Sequence, residues 1–491
     1  MTTDPTPQPT KPVIGIFRNW TSLIGVVLFL SSLFAFVLLF LLDTLSHSAN
    51  PYVGILTYLV APAFGAIGLV IVVVGVVWRN YRRVKELGAP PAFQVDLTRS
   101  RDRRLLSFFL GGSVLFLLAT AVLSYHTYHF TESVSFCGQA CHTVMKPELV
   151  TYLHGPHARV ACVECHIGPG AGWYVKSKLS GMYQVYATAF DKFPRPIPTP
   201  IRNLRPAQET CEQCHWPAKF VGNLDRTYEY FLADETNSHH TIRMTMKVGG
   251  GDPKHGPVGG IHWHMNVGNK VEYIALDEAR QQIPWVRVID SQGVVKEFRT
   301  EGFTNGISGQ PVRTMDCMDC HNRPAHQYQT PNDAVNLAMA LGQIDRALPS
   351  IKANAVAVLT EEYANETEAT EKIATTLAEK YKGDARIRPI IDVVQRIYRD
   401  NFFPEMKAAW NNYPDNIGHK DWPGCFRCHD GKHVTADGKD MIKANDCKAC
   451  HTILAQGSGD ELRMLTPEGQ DFKHPGGDYE GLCNDCHNGS M

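Results

Sequence analysis

All fourteen cysteines of this 491-residue chain are used in one kind of motif, a cysteine pair followed at once by histidine. Six read Cys-x-x-Cys-His: Cys162/Cys165-His166, Cys211/Cys214-His215, Cys317/Cys320-His321, Cys425/Cys428-His429, Cys447/Cys450-His451 and Cys483/Cys486-His487. The first in the chain, Cys137/Cys141-His142, has three intervening residues instead of two. Zinc ribbons also use cysteine pairs, and exported proteins use them in disulfides. Neither explains a histidine after every second cysteine. Covalent haem attachment does, because both thiols bind the vinyl groups while the adjacent imidazole reaches the iron. Seven c-type haems are expected.

The remaining histidines supply candidates for the far side of each iron. His157 precedes the second motif by five residues, and His326 follows the fourth in Cys-His-Asn-Arg-Pro-Ala-His. His419 lies six residues before the fifth, His433 follows it in Cys-His-Asp-Gly-Lys-His, and His474 precedes the seventh. His262 and His264 stand together in Gly-Ile-His-Trp-His-Met, where alternation along a strand puts both on one face. Taking His264 from that pair gives six distal ligands for six haems. The first haem has no such partner, but Met145 follows its motif closely, and thioether ligation raises a haem potential.

Three long uncharged stretches precede the motifs: the 24 residues between Arg18 and Asp43, the 28 from Pro51 to Trp78 and the 20 from Leu105 to Ser124. Each meets the roughly 20 residues needed to span a bilayer. Residues 79–104 carry eight Lys or Arg, whereas 43–53 carry none. The basic loop is therefore expected in the cytoplasm, with the N-terminus 1–18. Three transmembrane helices within 19–130 then leave every motif on the periplasmic side of a bacterial inner membrane. The 48 Lys+Arg against 49 Asp+Glu show no basic excess, which excludes a general nucleic-acid binder.

The fold class expected is a membrane-anchored multihaem cytochrome c. Its periplasmic domain is haem-packed and mostly helix and loop, with a β-rich insertion. The expected divisions are a haem lobe at 131–225 (haems 1–3), the insertion at 226–310, haem 4 with a helical segment at 311–410, and a three-haem lobe at 411–491. Val286–Val288 and Val294–Phe298 flank a Ser-Gln-Gly turn and predict a hairpin. Ile390, Val393, Val394 and Ile397 give the stripe of an amphipathic helix. Residues 193–207 hold five prolines and read as a linker. Lys176, Lys178 and the aromatic-containing 179–190 segment read as an interfacial stretch.

Phe136-Cys137…Cys141-His142…Met145…His157…Cys162-Val-Glu-Cys165-His166, followed by Lys176 and Lys178, resembles the NapC/NirT family of membrane-anchored multihaem quinol dehydrogenases. The likeness covers roughly residues 105–220. The whole chain is most similar to the inner-membrane heptahaem cytochromes c of metal-respiring bacteria. The resemblance implies that Met145 ligates the first haem and that His157 is a distal ligand for another. It also implies a quinol site using a lysine, Lys178 or Lys176, with an acid; at the matching place the chain offers Gln184, with Asp191 further on. Menaquinol is then the substrate and periplasmic c-type cytochromes the acceptors, in anaerobic or extracellular respiration. The chain would work in the lipid bilayer, as a homo-oligomer or with a complex partner. The alternatives are an electron-transfer subunit without a quinol site, and a periplasmic reductase of a small nitrogen compound.

Overall fold

The computed structural model describes residues 20–46, 57, 60–87, 97–140, 142–168, 170–201, 204–250, 259–266, 268–303, 309–444, 446–477, 479 and 481–490. The N-terminal segment 1–18, the middle of the basic loop, Cys141 and His255 lie outside them. The chain divides into two compact units, 1–140 and 141–491.

The first unit holds α1 (Trp20–Ser46), α2 (Ala61–Leu87) and α3 (Ser100–Thr131). Trp20–Phe40 and Ala61–Arg79 are each long and apolar enough to cross a membrane. Small residues bring α1 and α2 together: a Cβ on Gly25 would lie 2.7 Å from the Gly68 carbonyl oxygen, and one on Gly68 would lie 2.8 Å from the Phe29 nitrogen. Such close backbone approach is how helices gain dispersion energy where lipid removes the hydrophobic drive. The Ser32 hydroxyl donates to the Ala61 carbonyl across this contact. The uncharged 105–124 stretch falls inside α3, whose 32 residues run for about 48 Å. Beyond it Ser133 caps the short turn Val134–Gln139, accepting from Phe136 N at 3.1 Å. Phe136 meets Phe130 edge-on at 5.4 Å, so Cys137 is held just past the end of α3.

The second unit contains helices α4 (His142–His154), α5 (Ala171–Ala189), α6 (Pro331–Ala340), α7 (Ile351–Thr360), α8 (Glu366–Lys380) and α9 (Ile387–Asn401). Its strands are β1 (Leu224–Phe231), β2 (His239–Met246), β3 (Lys270–Ile274), β4 (Trp285–Ile289), β5 (Val295–Arg299), β6 (Arg313–Thr314) and β7 (His451–Gly457). Helices α6–α9 build the largest apolar core, and Phe231 from β1 joins it. Ile390, Val393, Val394 and Ile397 are all buried there, the stripe that the sequence periodicity predicts. Asn237, in the β1–β2 turn, donates to the carbonyls of Arg346 and Leu348 at 2.9 and 2.8 Å and ties the hairpin to this core.

Two antiparallel sheets follow, in orders β1-β2-β7 and β5-β4-β3-β6. The expected hairpin is β4–β5, with Val288 opposite Lys296. The β-rich part is not self-contained: β7, from the C-terminal lobe, pairs with β2 and sets His451 opposite Met246. The proline-rich stretch is also no free linker. Phe193 and Ile197 pack on the cluster of Val144, Phe403, Met406 and Tyr413, and Tyr413 OH donates to Ile197 O at 3.0 Å.

Candidate haem centres

A Cys-x-x-Cys pair on one helical turn points both thiols the same way, because residues three apart share a face. Short helical turns occur at the six regular motifs: Cys162–His166, Cys211–Gln213, Cys317–Asp319, Gly424–Arg427, Cys447–Cys450 and Cys483–Cys486. The following histidine closes the turn: His215, His321, His429 and His487 donate backbone N–H to the first cysteine's carbonyl at 2.8–3.0 Å. From Cys165 onward every described cysteine is a free thiol. Among the described residues no group of three or more His, Cys, Asp or Glu could hold a metal ion by itself, which disfavours zinc.

At the third motif the two cysteines are less alike than the spacing suggests. The 3-10 turn covers Cys211 but ends at Gln213, so Cys214 lies one residue beyond it. Cys211 is half-buried beside the Thr210 hydroxyl, whereas Cys214 is exposed. Its backbone still follows the turn, with the Cys214 N–H donating to Cys211 O at 3.1 Å. Nothing in the structure packs the Cys214 side chain as a core thiol, and its place as an attachment residue rests on the motif together with this backbone bond. Cys165, Cys425, Cys447 and Cys486 are exposed in the same way.

Each regular motif histidine faces one other imidazole. Ring centres stand 6.3 Å apart for His166 and His326, 6.2 Å for His215 and His157, and 6.2 Å for His321 and His262. They stand 5.9 Å apart for His429 and His264, 6.3 Å for His451 and His419, and 6.0 Å for His487 and His474. Two imidazoles sharing one metal have centres about 6 Å apart, since each metal–nitrogen bond takes about 2 Å and each ring adds about 1 Å. The residues present therefore fit an iron between each pair.

The surroundings favour ligation by neutral imidazole. Burial pushes His166, His262, His321, His326, His419, His429, His451 and His487 below the usual histidine range. His157, His262, His264 and His326 place Nδ1 on the carbonyls of Pro324, Val248, Ile261 and Glu148 at 2.8–3.0 Å. Donating there fixes the tautomer and leaves Nε2 with its lone pair free.

His262 and His264 sit on a 3-10 turn, Ile261–Met265, and not on a strand. Gly260 starts it at φ 76°, a conformation that an L side chain resists, and the turn aims the two rings at different motifs. Trp263, between them, packs on the core of the second sheet with Val271, Tyr273 and Val286. His433 faces no motif histidine. Its ring is fully buried, with Nδ1 2.8 Å from Asp430 Oδ1 and Nε2 2.7 Å from Ile283 O, so both nitrogens are engaged.

Two supports have no signal in the spacing of the motifs. Glu148 on α4 sets its carboxylate 3.1 Å from His326 Nδ1 and accepts from Arg323 and Tyr328. Asp319, inside the fourth motif and 1% exposed, accepts from Tyr273 OH at 2.6 Å, Arg280 at 2.7 Å and Arg313 at 2.8 Å. That network fastens the motif to the sheet.

Met145 is half-buried on α4. On α5, Lys176 lies over the Trp173 ring and half-buried Lys178 over Tyr174 at 4.8 Å. Val175, Leu179, Met182, Tyr183, Tyr186 and Phe190 are each more than half exposed beside them. Asp191 follows the helix and pairs with Arg195 at 2.6 Å. Thirteen residues separate it from Lys178, about 20 Å along a helix. The structure thus does not bring that lysine and that acid together.

Residues 99–196 match the N-terminal region of the NapC/NirT cytochrome c family. The chain is 42% identical to the cytochrome c-type protein ImcH of Geobacter sulfurreducens over 499 residues, 97% of this chain and 96% of that protein. No solved structure matches. Cytochromes of this family hold haem covalently and work as quinol-oxidising electron-transfer proteins. With its attachment motifs and its long apolar helices, the chain belongs to the NapC/NirT family as a membrane-associated multihaem cytochrome c.

Proposed function

We propose that this chain is an inner-membrane quinol dehydrogenase with three spans, a cytoplasmic N-terminus and seven haems. It oxidises menaquinol at the periplasmic face and delivers electrons to periplasmic c-type cytochromes, in anaerobic respiration toward external acceptors. The observation that carries the reading is the set of six facing imidazole pairs in a chain whose helices α1 and α2 suit a membrane.

The cysteine pairs hold the haems, and His166, His215, His321, His429, His451 and His487 are the proximal ligands. Their distal partners are His326, His157, His262, His264, His419 and His474 respectively; His262 takes the role that spacing had assigned to His433. Bound haem supplies one-electron chemistry at a potential set by its ligands and burial. Met145 is the candidate ligand at the first motif. On α5, Lys178 or Lys176 donates to a quinol oxygen and holds the charge that grows as its proton leaves. The exposed apolar side chains Leu179, Met182 and Tyr186 offer a seat for the ring. The ammonium takes up no proton. With no carboxylate on α5, the two protons that quinol releases pass to water on the exposed side of the helix, and Asp191 can receive them only through that water.

The reductase alternative needs an open iron position, and the six pairs argue against one at any regular motif. The subunit alternative is separated by experiment. Purified protein mixed anaerobically with a menaquinol analogue should show haem reduction in its visible spectrum. Reduction by dithionite but not by quinol would favour a subunit fed by a partner complex.

A further inference from the structure

Resting on that haem reading, we infer that the six bis-histidine sites form a single unbranched file in the order of their motifs, with the His474–His487 pair at its far end. A different contact joins each consecutive pair of sites. Segment 157–166 serves the second and third sites at once: it carries Cys162 and Cys165, while its His157 faces His215 at 6.2 Å. The third and fourth meet where His157, of the third site, places Nδ1 2.9 Å from the carbonyl of Pro324, three residues past His321 of the fourth. The fourth and fifth share the 3-10 turn, where His262 and His264 stand two residues apart. Arg427, inside the fifth motif, also donates to Asp319 O, inside the fourth, at 2.7 Å.

The fifth and sixth are joined by the chain between His419, which faces His451, and Cys425, whose N–H donates to Gly418 O at 2.9 Å. The sixth and seventh are joined by β7. It begins at His451, and its Gln456 donates to Asp471 O at 2.6 Å and accepts from Lys473 N at 3.0 Å, which positions His474. Residues 321–326 offer one shortcut, because they carry both His321 of the fourth site and His326 of the second. The bond from His157 to Pro324 O sets the third site against the middle of this stretch. The third site therefore stands between the second and fourth. The outlet of the file is the C-terminal lobe, 446–490.

Stepwise anaerobic reduction of the full-length protein, followed by low-temperature EPR, tests the order. H264M and H474M each exchange one imidazole for a thioether, which raises the potential of that haem and makes it the first of these six to turn diamagnetic, changes already seen in the unsubstituted protein at the same step being subtracted. At that step H264M should alter two other low-spin signals, those of the fourth and sixth sites. H474M should alter only one, that of the sixth. Two altered signals in H474M, or one or three in H264M, would mean a different packing and overturn the file, as would no altered signal in either variant. If a variant loses its haem, the haem-to-protein ratio falls by one and the same neighbours lose their coupling, so the count still decides. Quinol takes no part in this measurement, so its failure and a failure of quinol oxidation are told apart.

Discussion

His433 lies four residues past a motif histidine, and His262 lies far from every motif, yet of the two only His262 faces a motif histidine. The difference is set by what each ring touches. His433 is held between Asp430 and Ile283 O, and replacing it strands those partners in a buried place. H433L should keep every low-spin haem signal while losing about 1–3 kcal/mol of stability in thermal unfolding. H262A should instead convert one haem to high-spin in EPR and visible spectra. Glu148 makes a subtler case, since a carboxylate hydrogen-bonded to a ligating imidazole increases the ligand's basicity. E148Q should raise the midpoint potential of one haem in a redox titration and leave the remaining haems where they were. The motif histidines could be read directly from the chain because attachment chemistry fixes their spacing. The distal set could not, because a ring 160 residues from its partner, as His326 is from His166, is brought there by tertiary packing alone.

At the scale of elements, local periodicity was readable and long-range pairing was not. The α9 stripe and the β4–β5 hairpin follow from neighbouring residues. The β2–β7 pairing joins strands about two hundred residues apart, and nothing in either strand names its partner. The expectation of a strand at His262–His264 failed for a related reason: Gly260 and the packing of Trp263 impose a turn whatever the local alternation suggests. Helix α5 is the element on which the quinol proposal depends. K178M should slow haem reduction by a menaquinol analogue about tenfold or more, with K176M weaker, while dithionite reduction and haem content stay unchanged. Wild-type kinetics in both variants would take the site off this helix. An ammonium aimed at developing charge is worth a loss of that order.

For the whole molecule, the distribution of basic residues makes a claim that neither unit makes alone. Reporter fusions at residues 90 and 220 should report opposite sides of the membrane, because the loop before α3 is rich in Arg and the motifs all follow it. Both reporters on one side would overturn the topology. Under the proposed ligation, the crossed order of the facing histidines bears on how the protein is made. A chain emerging N-terminus first completes a site only when the later of its two histidines arrives. The third site closes at His215, the fourth at His321, and the second only at His326, after both of its successors. The second site thus stays open until 160 residues beyond its own motif histidine have emerged, by which point both of its successors have their full pair of histidines.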